Sequence, residues 1–274
     1  MTTDRGTTFR ALHQPGAPFV LANVWDVGTA KMLAGLGAQA LATSSAAHAF
    51  VLGRGDGGTV TRDEALAHAE DIVRATPLPV QGDFENGFGD APETCAETVR
   101  LAASVGLAGI CIEDTAFPDG NSYDFDLAVE RIAAAAAAAR AVSGDFILTA
   151  RADGIMLDTY DCDEAIRRLQ AFAAAGADCL YAPLPKSLAD LKRLIASVDR
   201  PVNVLWAGPH AKIPMSEMGR MGVARLSLGS SLARAAQRLV HDIALDMFEK
   251  GDATALTHSI SGDAVDVLMQ KGSV

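Results

Sequence analysis

No block of Lys or Arg stands out in the 274 residues. With 23 Lys and Arg against 34 Asp and Glu, the formal net charge is −11 and the pI is near 4.9. That balance argues against nucleic acid as a partner. It leaves room for a small anionic substrate, because a bound metal reverses the local sign of charge. The four cysteines, Cys95, Cys111, Cys162 and Cys179, form no CxxC pair. Cys111 and Cys179 lie in apolar strand-like runs, so buried free thiols and a cytoplasmic location are expected. Met1-Thr2-Thr3-Asp4-Arg5 is polar and no apolar h-region follows, so no signal peptide is expected. No apolar stretch reaches about 18 residues without a charge, which speaks against a membrane span. No linker divides the chain. One domain over residues 1–274, with a helical tail from about residue 251, is therefore expected.

What is present is a repeated alternation. Strand-like runs are Phe19–Asn23, Ala40–Ser44, Leu78–Glu85, Gly109–Asp114, Phe146–Arg151, Cys179–Pro183, Val202–Leu205 and Ala224–Gly229. Between and after them, helical patterns cover Val27–Leu36, Arg62–Ala75, Pro92–Val105, Asp124–Val142, Cys162–Ala175, Leu188–Ala196, Pro214–Met221 and Ser231–Lys250. Thr61-Arg62-Asp63-Glu64 has the form of a capping box, and Asp161 and Ser187 stand where N-caps belong. Gly37, Gly106 and Gly176 each follow a helix end and precede a strand, as a left-handed cap requires. The run Ala133 to Ala139 suits a helix packed closely on a sheet. Eight βα units predict an α/β fold, a (β/α)8 barrel, with an open doubly wound sheet as the alternative.

The unusual polar residues fall at strand ends. They are Asn23-Val24-Trp25-Asp26, Thr43-Ser44-Ser45, Asp83 and Glu85, Glu113-Asp114, Arg151-Ala152-Asp153, Asn203 and Ser227. A barrel brings all of them to one rim, where chemistry is normally done. Asp83, Glu85 and Glu113 are expected to hold Mg2+ (or Mn2+), one carboxylate directly and the others through water. Asp56, in the glycine-rich loop Gly53-Arg54-Gly55-Asp56-Gly57-Gly58, adds a further carboxylate. The loop lacks the form of a nucleotide P-loop. Arg151 ends an apolar strand and needs an anion, either a partner carboxylate or a substrate. The small residues Thr43 to Ala47 can present N–H groups and hydroxyls to an oxyanion. His48 and His210 are single rim candidates.

These motifs resemble the isocitrate lyase / phosphoenolpyruvate mutase superfamily over roughly residues 15–245. The resemblance is carried by Trp25-Asp26, Ser44-Ser45, Gly55-Asp56-Gly57, Asp83-Phe84-Glu85-Asn86-Gly87-Phe88-Gly89, Ile112-Glu113-Asp114, Thr149-Ala150-Arg151 and Arg225-Leu226-Ser227. It implies a TIM barrel whose last helix is swapped between subunits of a dimer or tetramer. It implies Mg2+ at Asp56, Asp83, Glu85 and Glu113, and a pyruvyl unit held by Ser44, Ser45 and Arg151. Catalysis would rest on Arg151, Ser44, Ser45 and Glu113, with Trp25, Asp26, Asn203 and Asn121 among the substrate contacts. The substrate would be a small 2-oxo acid or 2-hydroxy dicarboxylate passing through a pyruvate-type enolate.

Two departures fall after the fourth strand. The lyase branch carries Lys-[Lys/Arg]-Cys-Gly-His there, and its cysteine is the acid–base group. Here Thr115-Ala116-Phe117-Pro118-Asp119-Gly120-Asn121-Ser122-Tyr123 contains no Cys. The phosphonate branch carries a lysine where Asp119 stands. Glu85 also replaces the commoner aspartate. A decarboxylating or C–C-cleaving lyase is the leading expectation, with Tyr123 or His48 as proton source. Phosphonopyruvate hydrolase or carboxyphosphonoenolpyruvate mutase-like chemistry is one alternative. A non-catalytic 2-oxo acid binding barrel is another.

Overall fold

The computed structural model describes residues 4–273. Eight parallel strands form a closed barrel: β1 Phe19–Asn23, β2 Ala40–Ala42, β3 Val80–Asp83, β4 Gly109–Glu113, β5 Ile147–Arg151, β6 Cys179–Tyr181, β7 Val202–Leu205 and β8 Arg225–Ser227. Hydrogen bonds from β1 to both β2 and β8 close the sheet and exclude the open alternative. Leu41, Val80, Ile110, Ile112, Leu148, Leu180, Val204 and Leu226 are buried in one apolar cluster with the helices. Strands packed on both faces in this way read as continuous apolar runs, which made them visible in the sequence.

The punctuation behaves as its chemistry requires. Gly37, Gly106 and Gly176 adopt φ of 99°, 86° and 107°, conformations that a side chain disfavours. Thr61 and Glu64 form the capping box, and Asp161 and Ser187 cap their helices. The alanine run lies in helix Phe125–Ala141, where Ala135, Ala136, Ala138 and Ala139 are buried.

Several boundaries differ for local reasons. β2 stops at Ala42 because Ser44 leaves the sheet to cap a helix, Ser45–Val51. β3 stops at Asp83, and Glu85 turns the chain at φ 45°. The short elements Arg5–Leu12, Gly154–Leu157 and Gly208–Lys212 and a hairpin pairing Thr115–Ala116 with Asn121–Ser122 were not foreseen. They are too short to show a period. All four cysteines are free, as expected.

The N-terminal helix Arg5–Leu12 plugs the bottom of the barrel. Phe9 packs there with Phe19, Leu21, Ala40, Ala108, Ile147 and Cys179. Behind it, His13 accepts from Arg225 Nη1 at 3.1 Å, while its Nδ1 lies 2.8 Å from the Phe9 carbonyl. Arg225 also donates to Asn203 Oδ1, Gln81 Oε1 and Thr149 Oγ1. Every one of these partners is neutral. Burial, with the Arg225 charge beside it, pushes the His13 imidazole down to about 3. A depressed histidine takes up its proton more readily in the unfolded chain, so this contribution is complete above pH 6.5 and is lost as pH falls towards 3. His13→Gln retains an acceptor for Arg225 and does not titrate. Its stability relative to wild type is expected to improve by about 2 kcal/mol between pH 6.5 and 4.5. Urea unfolding of both proteins across that range is the check.

After β8 the helix Ser231–Leu245 buries only Ala233. A π-helical turn, Asp246–Lys250, and a 3-10 turn, Thr254–His258, follow. The last helix, Gly262–Lys271, returns to pack on helix Val27–Gly35. A Cβ at Gly272 would stand 1.9 Å from the Lys31 carbonyl oxygen, so this approach requires glycine. Among the described residues no helix is long and apolar enough to cross a membrane.

Candidate active site

Pairing in register sets Glu113 of β4 beside Arg151 of β5 at the C-terminal rim. Arg151 Nη1 lies 3.0 Å from Glu113 Oε2 and 3.7 Å from Asp83 Oδ1. Its Nε and Nη2 donate to the two carboxylate oxygens of Asp153, the latter at 2.7 Å. This fork fixes the plane of the guanidinium. Burial opposes the Arg151 charge, but Asp153 and Glu113 outweigh it and raise its pKa further. Asp83 Oδ2 accepts from the Ser45 N–H and from the Ser45 hydroxyl, each at 2.9 Å. Glu85 accepts from the Gly58 N–H at 3.0 Å.

A cavity of about 110 Å³ lies over this cluster, lined by Asp56, Glu85, Glu113, Asp153, Arg151 and Ser45 on its polar side. Its carboxyl groups repel one another. Burial pushes Glu85 up to about 7 against the pull of the Gly58 N–H. Burial and then Asp83 raise Asp56. Burial raises Glu113 well above the usual carboxylate range, although Arg151 opposes it. Among the described residues no three His, Cys, Asp or Glu side chains form a ready-made ligand cluster. Instead each carboxylate has its own polar partner around a shared space. Asp56, Asp83, Glu85 and Glu113 are the groups there that could hold a cation.

Other expected site residues are placed differently. Asp26 is exposed and forms a capping box with Thr29 at the start of Val27–Gly35. The Trp25 carbonyl accepts from His68, and neither residue lines the cavity. Ser44 Oγ accepts from the Ala47 N–H, and the Ser45 N–H is committed to Asp83. Ser45 therefore positions Asp83. Asn203 lies deeper, donating to Ser227 Oγ at 2.8 Å and accepting from Arg225. Asn121 is exposed on the hairpin. The Tyr123 hydroxyl donates to Asp90 at 2.5 Å, and burial together with Asp90 pushes it up to about 12. It is thus a poor proton source. His48 stacks on His68 with ring centroids 3.9 Å apart, and burial with that neighbour lowers it to about 4. His210 is buried off the cavity, its Nδ1 without a partner. Asp114 accepts from Arg168, Tyr160 and the Asp153 N–H. It therefore braces the Asp153 that grips Arg151.

The family model for phosphoenolpyruvate phosphomutase matches residues 9–248. The chain belongs to this family. It lies within the phosphoenolpyruvate mutase/isocitrate lyase superfamily, whose members are lyases and mutases. A provisionally assigned lyase/mutase of Burkholderia cenocepacia J2315 superposes with a TM-score of 0.92 at 42% identity, covering 97% of this chain and 95% of that one. A provisionally named 2-methylisocitrate lyase 2 of Corynebacterium glutamicum is 31% identical over 80% of this chain and 72% of its own length. An oxaloacetate decarboxylase of Ectopseudomonas mendocina is 29% identical over 92% of this chain and 89% of its own length. Family members thus share the barrel but are named for different reactions.

Two sets of residues at the rim escaped the sequence reading. The first is Tyr160 and Arg168, which hold Asp114 from 46 and 54 positions away. The second is Thr115, Phe117, Met156 and Leu157, also on the cavity lining. The phrase Thr115 to Tyr123 marked the loop but not which side chains turn inward.

Proposed function

We propose that this phosphomutase-family protein is a Mg2+- or Mn2+-dependent lyase acting on a small 2-oxo acid or 2-hydroxy dicarboxylate through a pyruvate-type enolate. The observation that carries the reading is Arg151, clamped by Asp153 and directed between Glu113 and Asp83 over a carboxylate-lined cavity. The donor set is all oxygen, and burial, with neighbouring carboxylates adding to it, raises Asp56, Glu85 and Glu113. That suits a hard cation keeping several waters. Asp56, Asp83, Glu85 and Glu113 would hold it. When bound, such an ion would supply Lewis-acid stabilisation of the charge that develops on the substrate oxygen.

The protein's own groups do the rest. Ser45 holds Asp83 in place through two hydrogen bonds. Arg151 offers a preorganised donor to the oxygen on which enolate charge develops. The hairpin covers the cavity, since Phe117 lies against Gly57 and Gly58. A Cβ at Gly58 would stand 2.9 Å from Phe117 Cβ. Such cover excludes water and protects an enolate. Turnover assays with oxaloacetate, 2-methylisocitrate and phosphonopyruvate, with and without Mg2+, test the reading. Metal-dependent release of pyruvate by C–C bond cleavage is the expected result, and no turnover of any of them would favour a binding barrel.

The segment Thr115 to Tyr123 is expected to become more protected from hydrogen exchange when Mg2+ and oxalate bind together. No change would mean a fixed loop. We also propose a homo-oligomer in which helix Ser231–Leu245 crosses to a neighbouring subunit. Its support is the exposure of Leu239 and Val240, at 63% and 68%, on an otherwise amphipathic helix. Sedimentation measures the assembly.

A further inference from the structure

The brace behind Arg151 extends well beyond the cavity. Asp114 Oδ1 accepts from the Asp153 N–H at 2.8 Å. Asp114 Oδ2 accepts from the Tyr160 hydroxyl at 2.8 Å and from Arg168 Nη1 at 2.9 Å. Arg168 belongs to helix Cys162–Ala174, which packs on β5 and β6. Its Nε donates to Glu164, one turn earlier, at 2.9 Å. Two prongs held in this way fix the guanidinium. The Arg168 and Asp114 side chains are only 7% and 2% exposed. Asp114, Tyr160 and Arg168 all lie off the cavity lining.

Asp114 also holds backbone. Its N–H donates to the Arg151 carbonyl at 3.1 Å, and its own carbonyl accepts from the Tyr123 N–H at 2.9 Å, which closes the hairpin. The Ser122 and Thr159 hydroxyls, 2.6 Å apart, tie that hairpin to the turn after Gly154–Leu157. A Cβ at Gly154 would collide with the Tyr160 ring, so the ring packs directly on the start of that short helix.

We infer that Arg168 is a positioning residue for Arg151, acting through Asp114 and Asp153 to fix the plane in which the Arg151 guanidinium meets the developing enolate oxygen. Its role in turnover rests on the lyase reading. The reason lies in how the charges pair. Arg168 is the cation on Asp114, and Arg151 is the cation on Asp153. Without Arg168, two buried carboxylates would share one guanidinium. Asp114 would keep only neutral donors, which burial makes unfavourable. Any relief moves Asp114 or Asp153, and either movement loosens the fork on Arg151. A donor that must be re-aimed during reaction stabilises developing charge less than one already in place.

Arg168→Gln should lower kcat about tenfold and change KM by less than about threefold, because the oxygen Arg151 meets gains its charge in the transition state. The assay uses Mg2+ with oxaloacetate or 2-methylisocitrate, whichever wild type cleaves, well below the melting temperature of either protein. In an Arg151→Lys background the same substitution should cost less than about twofold in kcat, because the group it aims is gone. The Arg151 Nε–H supplies a readout that needs no turnover. Its NMR signal, assigned by its loss in Arg151→Lys, should exchange with solvent at least about tenfold faster in Arg168→Gln. If Arg168→Gln does not fold, Tyr160→Phe carries the same tests. It removes one donor to the same Asp114 oxygen and keeps the ring beneath Arg168. An equal kcat penalty in both backgrounds, or unchanged exchange of that N–H, would make Arg168 a stabilising ion pair and nothing more. If wild type cleaves neither substrate, the lyase reading fails, and the exchange measurement still decides whether Arg168 orients Arg151.

Discussion

Arg151→Lys is expected to lower kcat at least about a hundredfold, the usual scale for losing one preorganised donor to a developing oxyanion. Arg151 spans three carboxylates at once. Nε and Nη2 grip Asp153, while Nη1 reaches Glu113 at 3.0 Å and Asp83 at 3.7 Å. A lysine ammonium is a single point and cannot hold that plane while also facing a substrate. Stability should fall as well, because Asp153 and Glu113 are buried and would lose their fork. The melting temperature is therefore expected to drop by several degrees. Measured on one preparation, kcat and Tm separate the roles. A lower Tm with unchanged kcat would make Arg151 a structural partner and nothing more.

Asp83→Asn is expected to remove metal-dependent turnover, by at least about a hundredfold in kcat, with little loss of fold. The side-chain amide keeps an oxygen for the Ser45 N–H and hydroxyl, so the corner between β2 and β3 survives. What goes is the anionic charge 3.7 Å from Arg151 Nη1. Asp83→Ala should have the same effect on turnover and also leave the Ser45 N–H without its acceptor. Calorimetric titration with Mg2+ is the direct check. Equal affinity in wild type and both variants would sink the assignment of Asp83 as a metal carboxylate, whatever the effect on rate.

Much of this is legible in the sequence. The eight strands are apolar because helices cover their outer faces and other strands fill the barrel. β1, β3, β4, β5 and β8 end in polar residues because the rim meets water and ligand. Asp83, Glu85, Glu113 and Arg151 stood out for that reason, and the barrel does bring them together. Asp26 and Tyr123 were equally conspicuous and proved otherwise engaged, one as a helix cap and one as a donor to Asp90. A polar residue near a strand end has several local uses, and sequence position does not choose among them.

The chain alone determined the alternation of strand and helix, the capped helix ends and the roster of carboxylates at the rim. Those follow from local periodicity, from backbone preferences at glycine and from the cost of burying charge. Only the tertiary structure decided which partners each group keeps. Glu113 meets Arg151 through the register of β4 on β5. The Arg225 guanidinium is surrounded by His13, Gln81, Thr149 and Asn203, drawn from up to 212 positions away. The Thr115 hydroxyl, on the lining of the rim cavity, is left without a partner. These contacts depend on closing a sheet whose strands are far apart in the chain. No local pattern records that closure, because each residue's own neighbours in sequence are the same whether or not the barrel forms.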